Sequence, residues 1–208
     1  MPEPTAPDAP SDQPGSGMVE RALPWVLAVG GTVGLIAAVV LLVEKIALLE
    51  DPSYVPSCSI NPILSCGSVM RTSQAEAFGF PNPIIGVSGF AGVATVGVAL
   101  LAGAAASRWF WFALQAGVVF GVGFVHWLIF QSLYRIDALC PYCMVVWAVM
   151  IPVFWYTTLR NLGASSLVRH RPVHLVRDLH GVGLTLWYLG IVGLVSQRFW
   201  DYWSTLLP

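Results

Sequence analysis

The sequence predicts an all-α membrane protein with five transmembrane helices and a structured cap on one face. Three observations carry this. Of 208 residues, 56% are hydrophobic and only 10% charged, whereas soluble domains carry about 25% charged residues. Mean hydropathy is +0.72. Five stretches, residues 22–43, 77–107, 109–134, 138–159 and 179–197, lack Asp, Glu, Lys and Arg; each suits a hydrocarbon core, which takes about 20 helical residues.

Residues 1–20 are rich in Pro, Ser, Gly and acid. With little to bury they predict a disordered cytoplasmic tail. The apolar run after Arg21 is longer than the roughly 7–15 residues of a signal-peptide core, so it is expected to be a retained anchor. Its helix should begin near Pro24, a residue tolerated in a first turn, and fade around Glu44 and Lys45. Residues from about 50 to 80 form a cap loop, too polar to span and too long for a simple turn. Asp51-Pro52-Ser53, Pro56-Ser57 and Asn61-Pro62 supply its turn chemistry. Residues 67–78 suit a short amphipathic helix on the membrane surface. The second helix follows Pro81-Asn82-Pro83 and ends by 103–107, the third runs from Trp109, and the fourth opens at or just before Cys140. Residues 161–180 are a basic cytoplasmic loop. Residues 181–208 hold the fifth helix and a short outer tail, whose Trp200, Tyr202 and Trp203 favour the interface.

Orientation follows from Lys and Arg. With the amino terminus inside, Arg21, Arg108, Arg160, Arg169, Arg171 and Arg177 are cytoplasmic, while Lys45, Arg71, Arg135 and Arg198 are outside. The inner set is larger and is concentrated in one short loop, the kind that counts. All four cysteines then face the outer side. A net charge of −1 excludes a nucleic-acid partner, which demands concentrated basic charge.

The cysteines carry the chemistry. Cys58 and Cys66 lie in the cap, and Cys140 and Cys143 open the fourth helix as Cys-Pro-Tyr-Cys. Outside the membrane, disulfides persist, so structural staples are one reading. A Cys-x-x-Cys pair is a poor staple, because closing so small a loop removes little unfolded-state entropy. A cysteine at a helix N-terminus is stabilised as thiolate by unpaired N–H groups and the helix dipole, which suits Cys140 for thiol–disulfide exchange. Cys143, one turn deeper, is within reach of a lipid-soluble oxidant. The eight-residue separation of Cys58 and Cys66, with Asn61-Pro62 between, suits a mobile shuttle in which Cys66 reaches across to Cys140. Four cysteines also admit zinc, although structural zinc usually takes two close pairs.

These features, with "CGSVM…FGFPNPIIG" leading into the second helix, resemble the bacterial homologues of vitamin K epoxide reductase from about Trp25 to Trp155. The resemblance implies an enzyme of the bacterial inner membrane, a quinone reductase that generates disulfides for exported proteins. Four helices within 21–160 would surround a quinone of menaquinone or ubiquinone type, with the fifth packed outside and neither metal nor flavin required. Electrons would pass from a separate thioredoxin-fold thiol oxidase on the outer face to the Cys58 and Cys66 pair. Cys66 would hand them to Cys140, and Cys143 would contact the quinone ring. Thr72 and Asn82 match family positions, the latter able to donate to a quinone carbonyl; Trp147 stands where vertebrate members have Tyr. A membrane assembly factor or transporter subunit with structural disulfides is the rival from another class.

Other residues have simpler readings. His126 inside the third helix is an intramembrane ionisable group, but a neutral histidine bonded to a neighbour explains it as well. Glu44 and Lys45 could move protons, though an interfacial ion pair is simpler. Phe124, Trp127, Phe130 and Trp147 could line a flat pocket, and equally could be packing or belt residues. Arg169, His170, Arg171 and Arg177 read as a topology signal rather than a lipid-headgroup site.

Overall fold

The computed structural model describes residues 14–165 and 171–206. Most of the expected tail at 1–20 lies outside the described residues, as do Arg169 and His170. The elements are α1 (Pro14–Glu50), α2 (Cys66–Met70), a 3-10 turn (Ser73–Glu76), α3 (Pro83–Leu101) and α4 (Arg108–Gln131), which passes into a π-turn (Ser132–Ile136). Then follow α5 (Pro141–Gly163), α6 (Arg171–Asp178), α7 (His180–Arg198) and α8 (Trp200–Leu206).

Among the described residues, four helices are long and apolar enough to cross a membrane: α1, α3, α4 with its π-turn, and α5. They coincide with the first four predicted spans. The fifth stretch is also helical, as α7, but His180, Gln197 and Arg198 fall within its 19 residues and shorten its apolar length. It packs outside the four. Trp187 Nε1 donates to His126 Nε2 at 3.0 Å, Trp155 Nε1 donates to the His180 carbonyl at 3.1 Å, and Leu186, Leu189 and Val192 face outward.

The centre of the bundle is α1 against α3 and α5. Small residues let α1 and α3 touch through their backbones, as small residues do in membrane bundles. A Cβ at Gly97 would overlap the backbone of Ala28, and one at Gly31 the backbone of Ala94. Leu27, Val118 and Val153 fill the interior beside them.

Two expectations are corrected. Helix α1 neither starts at Pro24 nor fades at Lys45; it runs from Pro14 to Glu50 with Pro24 in its interior. The proline removes one backbone bond, while Glu44 and Lys45 are buried and bonded to the cap, so the helix continues past them. The single surface helix expected at 67–78 is two short pieces. The chain breaks at Thr72, which is extended (ψ 153°) and whose hydroxyl donates to the Val69 carbonyl at 2.7 Å.

Candidate redox site

The site begins with a turn. Asn61 Oδ1 accepts from the backbone N–H groups of Ile63 (3.0 Å) and Leu64 (2.7 Å), the side-chain turn that Asn before Pro favours. The chain leaves it extended and pairs with the residues before α5. Leu139 N donates to the Ile63 carbonyl at 2.7 Å, and Ser65 N donates to the Leu139 carbonyl at 2.9 Å. This isolated parallel bridge, Leu64 with Leu139, sets the register of two distant segments. Cys66 opens α2 under a Ser65 cap, and Cys140 caps α5, with Pro141 in its first turn.

The consequence is a cluster of sulfur. Cys58 and Cys66 form a disulfide, with Cα atoms 5.5 Å apart. Cys140 Sγ lies 3.0 Å from Cys66 Sγ, and the Sγ atoms of Cys58, Cys66 and Cys140 are all within 4.8 Å of one another. Cys140 and Cys143 are free. Cys66 is thus bonded to one sulfur and touching another, an arrangement suited to exchange. Metal binding is poorly served here, because two of the three donors are joined in a disulfide and supply no thiolate.

The expected mobile reach of Cys66 is unnecessary in this arrangement. Its sulfur is wholly buried and already at Cys140, since the bridge delivers both by backbone bonds. The Cys140 thiol is held below its ordinary range, first by a hydrogen bond from the Cys143 thiol and then by the N–H groups of Cys143 and Tyr142, with burial and the charge of Glu44 opposing. The free N-terminus of α5 thus steadies Cys140 as a thiolate, the form in which a sulfur enters or leaves a disulfide.

Beyond the sulfurs lies a cavity of about 450 Å³ between α3, α4 and α5. Its lining is nearly all apolar, including Val93, Val118 and Phe124, and Cys143 is the cysteine that faces it. Trp147 lines it too. That indole is 4% exposed, and its Nε1 has no hydrogen-bond partner. A buried donor without an acceptor is costly, which marks this N–H as a candidate donor to a bound group.

The other predicted site residues are placed as follows. Asn82 lines the cavity but spends much of its amide locally: Nδ2 donates to the Gln74 carbonyl at 2.7 Å and Oδ1 accepts from Ala77 N at 3.0 Å. One N–H is left over. Thr72 is not among the lining residues; its hydroxyl holds the end of α2. Of the aromatics, Trp127 and Phe130 are exposed on the outside. His126 has the simpler reading: an indole N–H only donates, so His126 Nε2 accepts from Trp187 and Nδ1–H donates to the Val122 carbonyl at 2.8 Å. Glu44 and Lys45 do not pair with one another. Glu44 takes Tyr54 and Ser57, and Lys45 takes Met70 and Glu76, contacts that adjacent opposite charges gave no means of foreseeing.

Residues 25–158 match the model of the vitamin K epoxide reductase family. No individual curated protein is similar enough to count as a match. The matched stretch contains all four cysteines, the bridge that aligns them and the cavity beside Cys143. The chain belongs to the vitamin K epoxide reductase family and is an integral membrane oxidoreductase, of the kind that links thiols to quinones.

Proposed function

We propose that the protein oxidises the dithiol of a separate thioredoxin-fold protein on the extracytoplasmic face of a bacterial inner membrane and delivers the electrons to a membrane quinone. The observation that carries this is the order of sulfurs leading to a cavity: Cys58 and Cys66 bonded, Cys66 against Cys140, and Cys143 facing the apolar space. The excess of Arg away from the cysteine end supports the orientation.

Each step conserves atoms and electrons. A donor thiolate attacks the Cys58–Cys66 disulfide, and a second donor thiol resolves the mixed disulfide. The donor is oxidised and the pair becomes two thiols. Cys66 then attacks a Cys140–Cys143 disulfide at Cys140, Cys143 leaves, and Cys58 closes on Cys66. That restores the arrangement described here, with the loop pair oxidised and Cys140 and Cys143 reduced. Cys140 and Cys143 would then close to a disulfide, giving up two electrons and two protons to a quinone held in the cavity, which would be released as hydroquinone. The residues fit such a ring: flat apolar walls, the unpartnered Trp147 N–H for a carbonyl, the spare Asn82 N–H, and Cys143 at the edge. Thr72 supports the shape of the cap by closing α2.

The test is Cys143→Ser in purified protein, with dithiothreitol as donor and the quinone spectrum followed without oxygen. Quinone reduction should disappear while the helical content stays. Undiminished reduction would sink the relay, and with it the preference over a structural role for the cysteines.

A further inference from the structure

Cys66 has two possible partners, and the fold holds them by different means. On the Cys140 side, the register comes from the Ile63, Leu64 and Leu139 bridge. Lys45 holds α2, which carries Cys66 itself, by donating to the Met70 carbonyl at the end of that helix (2.7 Å) and pairing with Glu76 at 2.9 Å. On the Cys58 side, the residues after the cysteine bond within their own loop: Gly67 N to Ser59 Oγ at 3.2 Å, and Ile60 N to the Leu64 carbonyl at 2.8 Å. The residues before Cys58 receive a hydrogen bond from Arg71 Nη2 to the Tyr54 carbonyl at 3.1 Å, and Tyr54 and Ser57 bond to α1 through one acidic side chain. Glu44, 8% exposed, accepts from Tyr54 OH at 2.9 Å, from Ser57 Oγ at 2.5 Å and from Ser57 N at 3.3 Å.

We propose that Glu44 is a positioning residue that sets how Cys66 divides its bond between Cys58 and Cys140, by fixing the chain before Cys58 to α1. The proposal rests on the exchange reading above. The equilibrium is Cys58–S–S–Cys66 plus Cys140–SH giving Cys58–SH plus Cys66–S–S–Cys140. One S–S bond breaks and one forms, the proton moves from Cys140 to Cys58, and no net oxidation occurs. When the bond moves to Cys140, Cys58 is freed, and the hydrogen bonds to Glu44 oppose its departure. Lys45 holds α2 whichever partner Cys66 has. The adjacent pair on α1 therefore divides the work: Lys45 fixes the sulfur common to both bonds, and Glu44 biases the choice between the other two.

The test uses the full chain with Cys143→Ser, so that the exchange stops at the Cys66–Cys140 bond. Protein carrying one disulfide is equilibrated without oxygen, quenched in acid and alkylated, and the two pairings are counted by mass spectrometry. Adding Glu44→Ala should raise the ratio of Cys66–Cys140 to Cys58–Cys66 about tenfold, which corresponds to about 1.4 kcal/mol. Glu44→Gln, which keeps one acceptor oxygen, should lie between. Tyr54→Phe and Ser57→Ala should each give a smaller rise that is not additive with Glu44→Ala, because they remove the same bonds; they carry the test if the alanine variant does not fold. Lys45→Ala should leave the ratio within about twofold, as both pairings share its contacts. An unchanged ratio in Glu44→Ala, Tyr54→Phe and Ser57→Ala overturns the proposal, and so does an equal shift in Lys45→Ala. If Cys66–Cys140 never forms, the exchange reading falls too, which separates the two failures.

Discussion

Replacing Trp147 by Phe separates a ligand donor from a packing residue, because the two roles give effects of opposite sign. In the free protein the indole Nε1 is buried without a partner, a state that costs about 1–3 kcal/mol. Phe removes that donor, and its smaller ring leaves a void costing about 1 kcal/mol, given about 24 cal/mol per Å³ of cavity. The terms nearly cancel, so free Trp147→Phe should be as stable as the parent or slightly more so. With quinone bound the balance changes. The donor then has an acceptor, and losing that bond removes about 1–1.5 kcal/mol of affinity, or about a tenfold rise in Kd. Thermal unfolding with and without a short-chain quinone reads both quantities, since a ligand that binds only the folded state stabilises it by RT ln(1 + L/Kd) at free ligand concentration L, so at fixed quinone a higher Kd gives a smaller rise in Tm. Unfolding of Trp147→Phe should match the parent without quinone and show a smaller quinone-induced rise. A lowered Tm with the quinone-induced rise intact would refute the reasoning and make Trp147 a packing residue.

Further outcomes follow from the same geometry. Because the Cys140 thiol is held low chiefly by the Cys143 thiol, its thiolate should persist as pH falls below the ordinary cysteine value of about 8.5 and be lost only below the depressed midpoint. With the loop disulfide intact, ultraviolet thiolate absorbance against pH reads this, and Cys143→Ala should move the midpoint upward. Gly97→Ala places a Cβ on the Ala28 backbone and should cost about 1–3 kcal/mol in thermal unfolding; Gly92→Ala, with open space, should stay within about 0.5 kcal/mol. Trp187→Phe removes the bond to His126 and should cost about 1 kcal/mol. It should also increase protease cutting between α5 and α7 and leave quinone reduction by dithiothreitol unchanged, because α7 touches neither sulfur nor cavity.

The sequence by itself determined the helices and the class of chemistry. Hydropathy and charge-free length are local sums, so the spans at 22–43, 77–107, 109–134 and 138–159 could be read directly, and the Cys-Pro-Tyr-Cys opening of α5 was legible as a helix N-terminus. Asn61-Pro62 was likewise recognisable as a turn. Only the tertiary structure decided what that turn is for: pairing Leu64 with Leu139 joins segments about 75 residues apart in sequence, and nothing in either segment names the other. The same holds for Glu44 and Lys45. Side by side they suggest an ion pair, and their separate duties appear only when two different pieces of the cap fold down on α1. Trp147 was singled out by position, but its lack of a partner is a property of the surrounding cavity. Local free energies write themselves into composition and spacing; the meeting of Cys66 with Cys140 depends on backbone bonds between distant segments, and those exist only once the bundle has formed.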